Sequence, residues 1–194
     1  LPSGMIDLLK TLPKESNPMD VIQLAVSSLG TFYPVSFDAE DLKAKKYTKD
    51  YYIEVSAGIL GSIGSIVAAW NRIKNNKDYI KPDSNLSYAD NFMHMLDDSI
   101  EVTPLISRII DATLILHAEH TINASTFTSM VTSSTLASPT QVIASAIGSL
   151  SGPLHGGANQ KVILMLEEMG SKDNAQAWLE ERLSRKQVVW GMGH

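Results

Sequence analysis

The sequence predicts an all-α protein. Apolar residues recur at three- and four-residue intervals through most of the chain. Asn17-Pro18, Thr103-Pro104 and Ser138-Pro139 each place a polar cap before a proline, whose fixed φ suits the first helical position. Alternating apolar and polar runs, the mark of strands, are minor.

The first helix expected from this pattern starts at Pro18. Val21, Leu24, Ala25 and Leu29 form its apolar stripe, and Gly30 is expected to end it. Residues 32–50 mix aromatic and charged side chains without a clean period and read as a loop region with a short helix. A second helix is expected from Ser56 to Asn75, with Ile59, Leu60, Ile63, Ile66, Val67 and Trp70 along one side. Residues 76–85 are polar, contain Pro82 and read as a connector. Ser87 caps a short helix closed by Asp97-Asp98. The helix from Thr103-Pro104 has Leu105, Ile106, Ile109, Ile110, Thr113 and Leu116 as its expected buried face, and delivers His117 to His120 at its C-terminal end.

A helix over 124–136 follows. Ser138-Pro139-Thr140-Gln141 then has the spacing of a capping box and starts a helix over 139–151, with Val142, Ile143, Ala146, Ile147 and Leu150 on one face. The other faces of this pair are rich in small residues, which lets helices approach closely within a subunit or between subunits. His155-Gly156-Gly157 leads into a helix with Val162, Met165, Leu166 and Met169 as its stripe and Gly170 as its stop. Asp173 starts the next, with Gln176 at capping-box distance. Val188 to Trp190 read as a short extended piece.

The chain has 194 residues, enough for one domain with its own core. Its net charge of −5 and the absence of a dense Lys/Arg block argue against a nucleic-acid partner. The sequence contains no cysteine, which excludes disulfides, thiol nucleophiles and thiolate metal sites, and permits a cytoplasmic location. The longest apolar run, Ile59 to Trp70, is broken by glycine and serine and falls short of the roughly 20 residues of a membrane span. The chain begins at Leu1 and stops at His194 after a Gly-Met-Gly turn, which reads as a portion of a longer protein.

Of the five histidines, His94 lies between two methionines and reads as structural. His117 and His120 share a helical face. With Glu119 they suggest a metal pair, but a third ligand is missing, the spacing is not His-Glu-x-x-His, and no metal is expected. On the residues alone, one of the two is expected to be structural. His155 sits between a proline break and a glycine pair where a helix begins. The free N–H groups of a helix start favour a neutral imidazole, which can donate to a developing oxyanion, and the glycines let a ligand approach the backbone. A helix-capping histidine in a tight turn is the other reading. His194 after Gly-x-Gly is a weak signal by itself. The methionines read as core filler. A serine hydrolase finds no support, since no Gly-x-Ser-x-Gly elbow occurs.

His117-Ala118-Glu119-His120 through Asn123-Ala124-Ser125-Thr126 resembles a segment of the citrate synthase family. Gly152-Pro153-Leu154-His155-Gly156-Gly157-Ala158-Asn159 resembles that family's most characteristic motif, and Gly191-Met192-Gly193-His194 its third histidine motif. All three occur in the family's order and at similar spacing. Weaker similarity reaches back to Asn91-Phe92-Met93 and Pro18-Met19-Asp20-Val21, where Asn17 replaces a frequent histidine.

The resemblance implies a multihelical large domain over most of 1–194, with the small CoA-binding domain largely absent. It implies condensation of acetyl-CoA, a substrate rather than a cofactor, with oxaloacetate, followed by hydrolysis of citryl-CoA. His155 and His194 would be catalytic, the first on the thioester carbonyl and the second on the oxaloacetate ketone. His120 would bind oxaloacetate with Asn123 close by. The backbone around Val189, Gly191 and Gly193 would meet the adenine end of CoA. The family's proton-abstracting aspartate and oxaloacetate-binding arginines follow the third motif and have no position in this chain, so the chain is expected to be an incomplete catalyst. A homodimer is expected through the helices of 124–136 and 139–151. A 2-methylcitrate synthase using propionyl-CoA shares these motifs, and a non-catalytic helical assembly module keeping the dimer surface is the contrasting reading.

Overall fold

The structure, a computed structural model, describes residues 1–33 and 48–192. The loop and short helix expected over 32–50 fall almost wholly outside the described residues, as do Gly193 and His194. The chain divides into two compact units, Leu1–Gly148 and Ser149–His194. Every described element is helical, so the all-α expectation holds.

The first unit opens with a helix that the sequence pattern passed over. In α1 (Ser3–Thr11), Met5 and Leu9 lie one turn apart and are fully buried. Helix α2 (Pro18–Phe32) starts as expected, with Asn17 Oδ1 accepting from the Met19 amide at 2.9 Å. Its buried face is Val21, Ala25, Val26 and Leu29, while Leu24 stays 42% exposed. Gly30 does not stop the helix. A Cβ there would lie 2.7 Å from Thr140 Oγ1, so this glycine serves a close approach to a later helix.

Helix α3 (Lys49–Lys74) begins well before the expected Ser56, because Thr48 Oγ1 accepts from the Tyr51 amide at 3.3 Å and caps it. By length and composition α3 could cross a membrane. Its second half instead forms the middle of the core, with Ile66, Ala68, Ala69 and Trp70 buried. Leu60, expected on the packed side, is 61% exposed. Helices α1, α2 and α3 pack on one another, and Ala144 and Ile147 complete the cluster.

Helix α4 (Tyr88–Leu96) packs on α3. Ser87 Oγ accepts from the Asp90 amide at 3.1 Å and donates to its carboxylate at 2.8 Å. Tyr88 donates to the Leu60 carbonyl at 3.2 Å, and Gly64 leaves room for its hydroxyl. Arg72, only 5% exposed, ties the end of α3 to the end of α4. It donates to the Asp78 carbonyl through Nε, and to Asp98 at 2.9 and 3.5 Å through its two terminal nitrogens. Arg72→Met removes three hydrogen bonds made by a nearly buried side chain and is expected to lower Tm by about 4–8 °C in a thermal melt.

Three α4-region carboxylates titrate below the ordinary aspartate value of 3.8. Hydrogen bonds from Ser107 and then Ser87 hold Asp90 down, those from Ser99 hold Asp97, and the Arg72 guanidinium holds Asp98. A lowered folded value means stability that is present above pH 3.8 and lost as pH falls through the lowered values. Amide exchange should show α4 losing protection relative to α2 as pH drops below 3.8. Equal losses would contradict this.

Helix α5 (Pro104–Leu116) is capped by Thr103, whose Oγ1 accepts from the Ile106 amide at 3.3 Å. The expected buried face is a miss. None of its residues is buried, and Leu105, Ile109 and Leu116 are 67%, 53% and 80% exposed. The helix packs on α4 along one edge, where Ile106, Ser107 and Ile110 are half-buried. The apolar stripe is real, but no described element covers the rest of it.

Helix α6 (Ala124–Ser133) ends short of Leu136, which adopts a positive φ of 62° in the turn to α7 (Pro139–Leu150). The small faces of α6 and α7 meet within the chain. Ser125 donates to the Ala146 carbonyl at 3.0 Å, and the Thr132 and Ser145 hydroxyls lie 2.9 Å apart. Gln141 does not close the expected capping box. Its amide bonds Ser27 of α2 instead, so the side chain ties two helices together.

The second unit holds α8 (Gly157–Met169), a short 3₁₀ turn (Lys172–Asn174) and α9 (Ala175–Ser184). Gly170, with φ +75°, stops α8 as expected. Of the expected α8 stripe only Met165 is buried, and Leu166 is 50% exposed. Ser171, rather than Asp173, caps the following turn, and Gln176 bonds Glu180 within α9. Arg182 pairs with Glu168 and lies 4.6 Å from the Trp178 ring centre, fastening α9 to α8. Val188 to Trp190 form no strand.

Candidate active site

The first cluster of site residues follows α5. His117 is the C-cap, and its Nδ1 lies 2.7 Å from the Thr113 carbonyl oxygen. That hydrogen bond gives His117 a structural part, which the spacing alone does not assign; His120 is the one of the two that the family resemblance assigns to a ligand. The chain then turns sharply. Thr121 has φ +54°, a costly conformation for a β-branched residue. It is held there from both sides: its amide donates to the Glu119 carboxylate, and its hydroxyl donates to the His120 carbonyl at 2.7 Å. Thr121 carries no signal for this turn in the sequence, since a positive φ has no signature at threonine, and the sequence places Glu119 only beside a candidate metal pair. His120 is exposed. Asn123 caps α6, its Oδ1 accepting from the Thr126 amide at 2.8 Å. The carbonyl end of Asn123 is thus committed to the helix, and its amide nitrogen is the end suited to a ligand.

The second cluster precedes α8. His155 and Gly156 both donate their amides to the Gly152 carbonyl, at 3.0 and 3.1 Å, which fixes a tight turn with His155 immediately before the helix cap. His155 is half-buried, while its neighbour Leu154 is fully exposed. Gly156 makes no side-chain cap, so the helix start presents backbone N–H groups. A Cβ on Gly156 would fall 2.1 Å from the Leu150 carbonyl oxygen. Glycine is therefore required here by close packing, at a position where the sequence suggested room for a ligand.

The third motif is described as far as Met192. The Met192 amide donates to the Val189 carbonyl at 3.3 Å, closing a turn over Val189–Met192. Gly191 has φ +87°, the value that the third residue of a type II turn requires. Its Cα faces α8, where an added Cβ would meet Val162 Cγ2 at 3.4 Å. The structure thus places Val189 and Gly191 in one turn against the helix that His155 precedes. Gly193 and His194 lie outside the described residues. Among the described residues, no three His, Asp or Glu side chains are arranged to hold a metal ion.

The family model for the citrate synthase C-terminal domain matches residues 1–194, the whole chain. The chain belongs to the citrate synthase family. It is 44% identical over 189 residues to a citrate synthase from Acidithiobacillus ferridurans, covering 97% of this chain and 48% of that protein. A 2-methylcitrate synthase from Corynebacterium glutamicum is 36% identical over 198 residues, covering all of this chain and 50% of the relative. The crystal structure of citrate synthase from Pyrobaculum aerophilum aligns with a TM-score of 0.77 at 31% identity, over 100% of this chain and 48% of that one. The chain therefore spans about half the length of these citrate synthase family members, and the motif resemblance is part of a similarity that runs end to end.

Proposed function

We propose that the full-length protein is a citrate synthase, which condenses acetyl-CoA with oxaloacetate and hydrolyses the resulting citryl-CoA to citrate and CoA. The observation that carries this reading is the set of three histidine motifs, in order, inside a chain that the family model matches throughout.

In this reading His155 donates an N–H to the thioester carbonyl oxygen. A carboxylate supplied from outside residues 1–194, an aspartate by the family pattern, takes a proton from the acetyl methyl group. The resulting enolate is stabilised where its charge appears. Its carbon attacks the oxaloacetate ketone, and His194 gives a proton to the oxygen that becomes the citryl hydroxyl. Water then cleaves the thioester and CoA leaves as its thiol. His120 and the Asn123 amide bind oxaloacetate, and the Val189–Gly193 backbone meets the adenine end of CoA. CoA and its esters are substrates, and no resident cofactor or metal is required. The tight turn at His155 and the helix start immediately behind it support its donor role.

The protein is read as a cytoplasmic homodimer. Support for a second copy comes from α6, where Phe127, Met130 and Val131 are 62%, 53% and 54% exposed. Apolar side chains so arranged on a helix favour burial against a partner.

The similarity to a 2-methylcitrate synthase favours one alternative, a preference for propionyl-CoA. Parallel turnover of the two acyl-CoAs by the full-length protein, with oxaloacetate, decides between them. The proposal expects the higher kcat/KM with acetyl-CoA. The reverse order would make the protein a 2-methylcitrate synthase.

A further inference from the structure

In the second unit, Lys161 Nζ lies 4.2 Å from the centre of the Trp190 ring. That distance is within the range of a cation–π contact. Lys161 is exposed and stands one turn into α8, whereas Trp190 is half-buried and is the second residue of the Val189–Met192 turn. The adjoining pair meets too, because Gly191 faces Val162 across a gap that a Cβ would close to 3.4 Å. Two consecutive residues of the turn thus rest on two consecutive residues of the helix. Trp190 is the second residue of the turn, so a ring held on Lys161 ties the turn's backbone to α8 as well.

We propose that Lys161 and Trp190 form a clamp that holds this turn against α8, and that Lys161 is thereby a positioning residue for the acyl-CoA substrate. The inference rests on the citrate synthase reading, in which the turn meets the adenine end of CoA and α8 is led by His155. A turn pinned to α8 keeps the CoA-binding backbone in register with the histidine that meets the thioester. The pinned turn loses less freedom when the substrate binds, so the clamp acts on acyl-CoA affinity. Lys161 touches neither reacting group in this account.

The test is steady-state kinetics of the full-length protein with both substrates varied. Lys161→Met keeps the aliphatic stem and removes the charge. It should raise KM for acetyl-CoA about 2–5-fold, the value of an exposed cation–π contact, while kcat and KM for oxaloacetate change less than about 2-fold. Lys161→Arg should restore the acyl-CoA KM, since a guanidinium stacks at least as well. Trp190→Leu should match Lys161→Met, and the double variant should be no worse than either. If Trp190→Leu fails to fold, the Met and Arg variants at Lys161 still decide the matter. Wild-type turnover with an unchanged acyl-CoA KM in Lys161→Met overturns the clamp alone, as do equal rises in KM for both substrates. Absence of oxaloacetate-dependent turnover in the wild type overturns the citrate synthase reading, and the role of Lys161 with it.

Discussion

His155→Ala in the full-length protein is expected to lower kcat for citrate formation about 10²–10³-fold, the usual loss when one donor to a developing oxyanion is removed. The expected change in KM for oxaloacetate is small, because that substrate is assigned to His120, Asn123 and His194. The turn should survive, since its hydrogen bonds to the Gly152 carbonyl come from backbone amides rather than the imidazole. A thermal melt within a few degrees of wild type would confirm that the loss is chemical. A variant retaining more than a third of wild-type kcat would remove His155 from the mechanism.

Gly156→Ala is expected to do harm of another kind. The new Cβ would lie 2.1 Å from the Leu150 carbonyl oxygen and 3.2 Å from its carbon, and backbone cannot move aside as a flexible side chain can. Overpacking of this sort costs about 1–3 kcal/mol. The distortion is passed on directly, because the His155 and Gly156 amides share one acceptor. Moving His155 by about 1 Å should cost roughly 10² in kcat/KM. The variant should therefore lose stability and activity together, where His155→Ala loses activity alone. Wild-type melting and kinetics in Gly156→Ala would show that the turn has slack and that the glycine serves another end.

Much of the fold was legible in local chemistry. The three polar-cap–proline pairs mark where α2, α5 and α7 begin, because a proline φ and a side-chain acceptor act within a few residues. Helix α1 escaped notice because it is one short stretch with no side-chain cap at Pro2. The early start of α3 is hard to read because Tyr51 and Val55, which continue the Ile59 stripe at four-residue spacing, are interspersed with Lys49, Asp50 and Glu54, and only Thr48 signals the cap. The face of α5 shows a different limit. Periodicity tells which side of a helix is apolar, not what covers it, and Leu105, Ile109 and Leu116 are apolar and exposed.

The candidate site divides in the same way. The His155 turn could be read from its proline and glycines, since these residues constrain the backbone directly. The capping role of Asn123 is also a local signal, and it is distinct from the ligand-binding role that the family resemblance implies. The Lys161–Trp190 contact had no such signal. It joins residues from separate elements, and neither is unusual in its own segment.

The three histidine motifs are proposed to serve one substrate pair. The most direct measurement is a crystal structure of the full-length protein with oxaloacetate and a CoA ester bound. The expected result is His120 and His194 within hydrogen-bond distance of oxaloacetate, His155 within that distance of the thioester oxygen, and the Val189–Gly193 backbone against adenine. Oxaloacetate bound away from His120, or a thioester out of reach of His155, would contradict it.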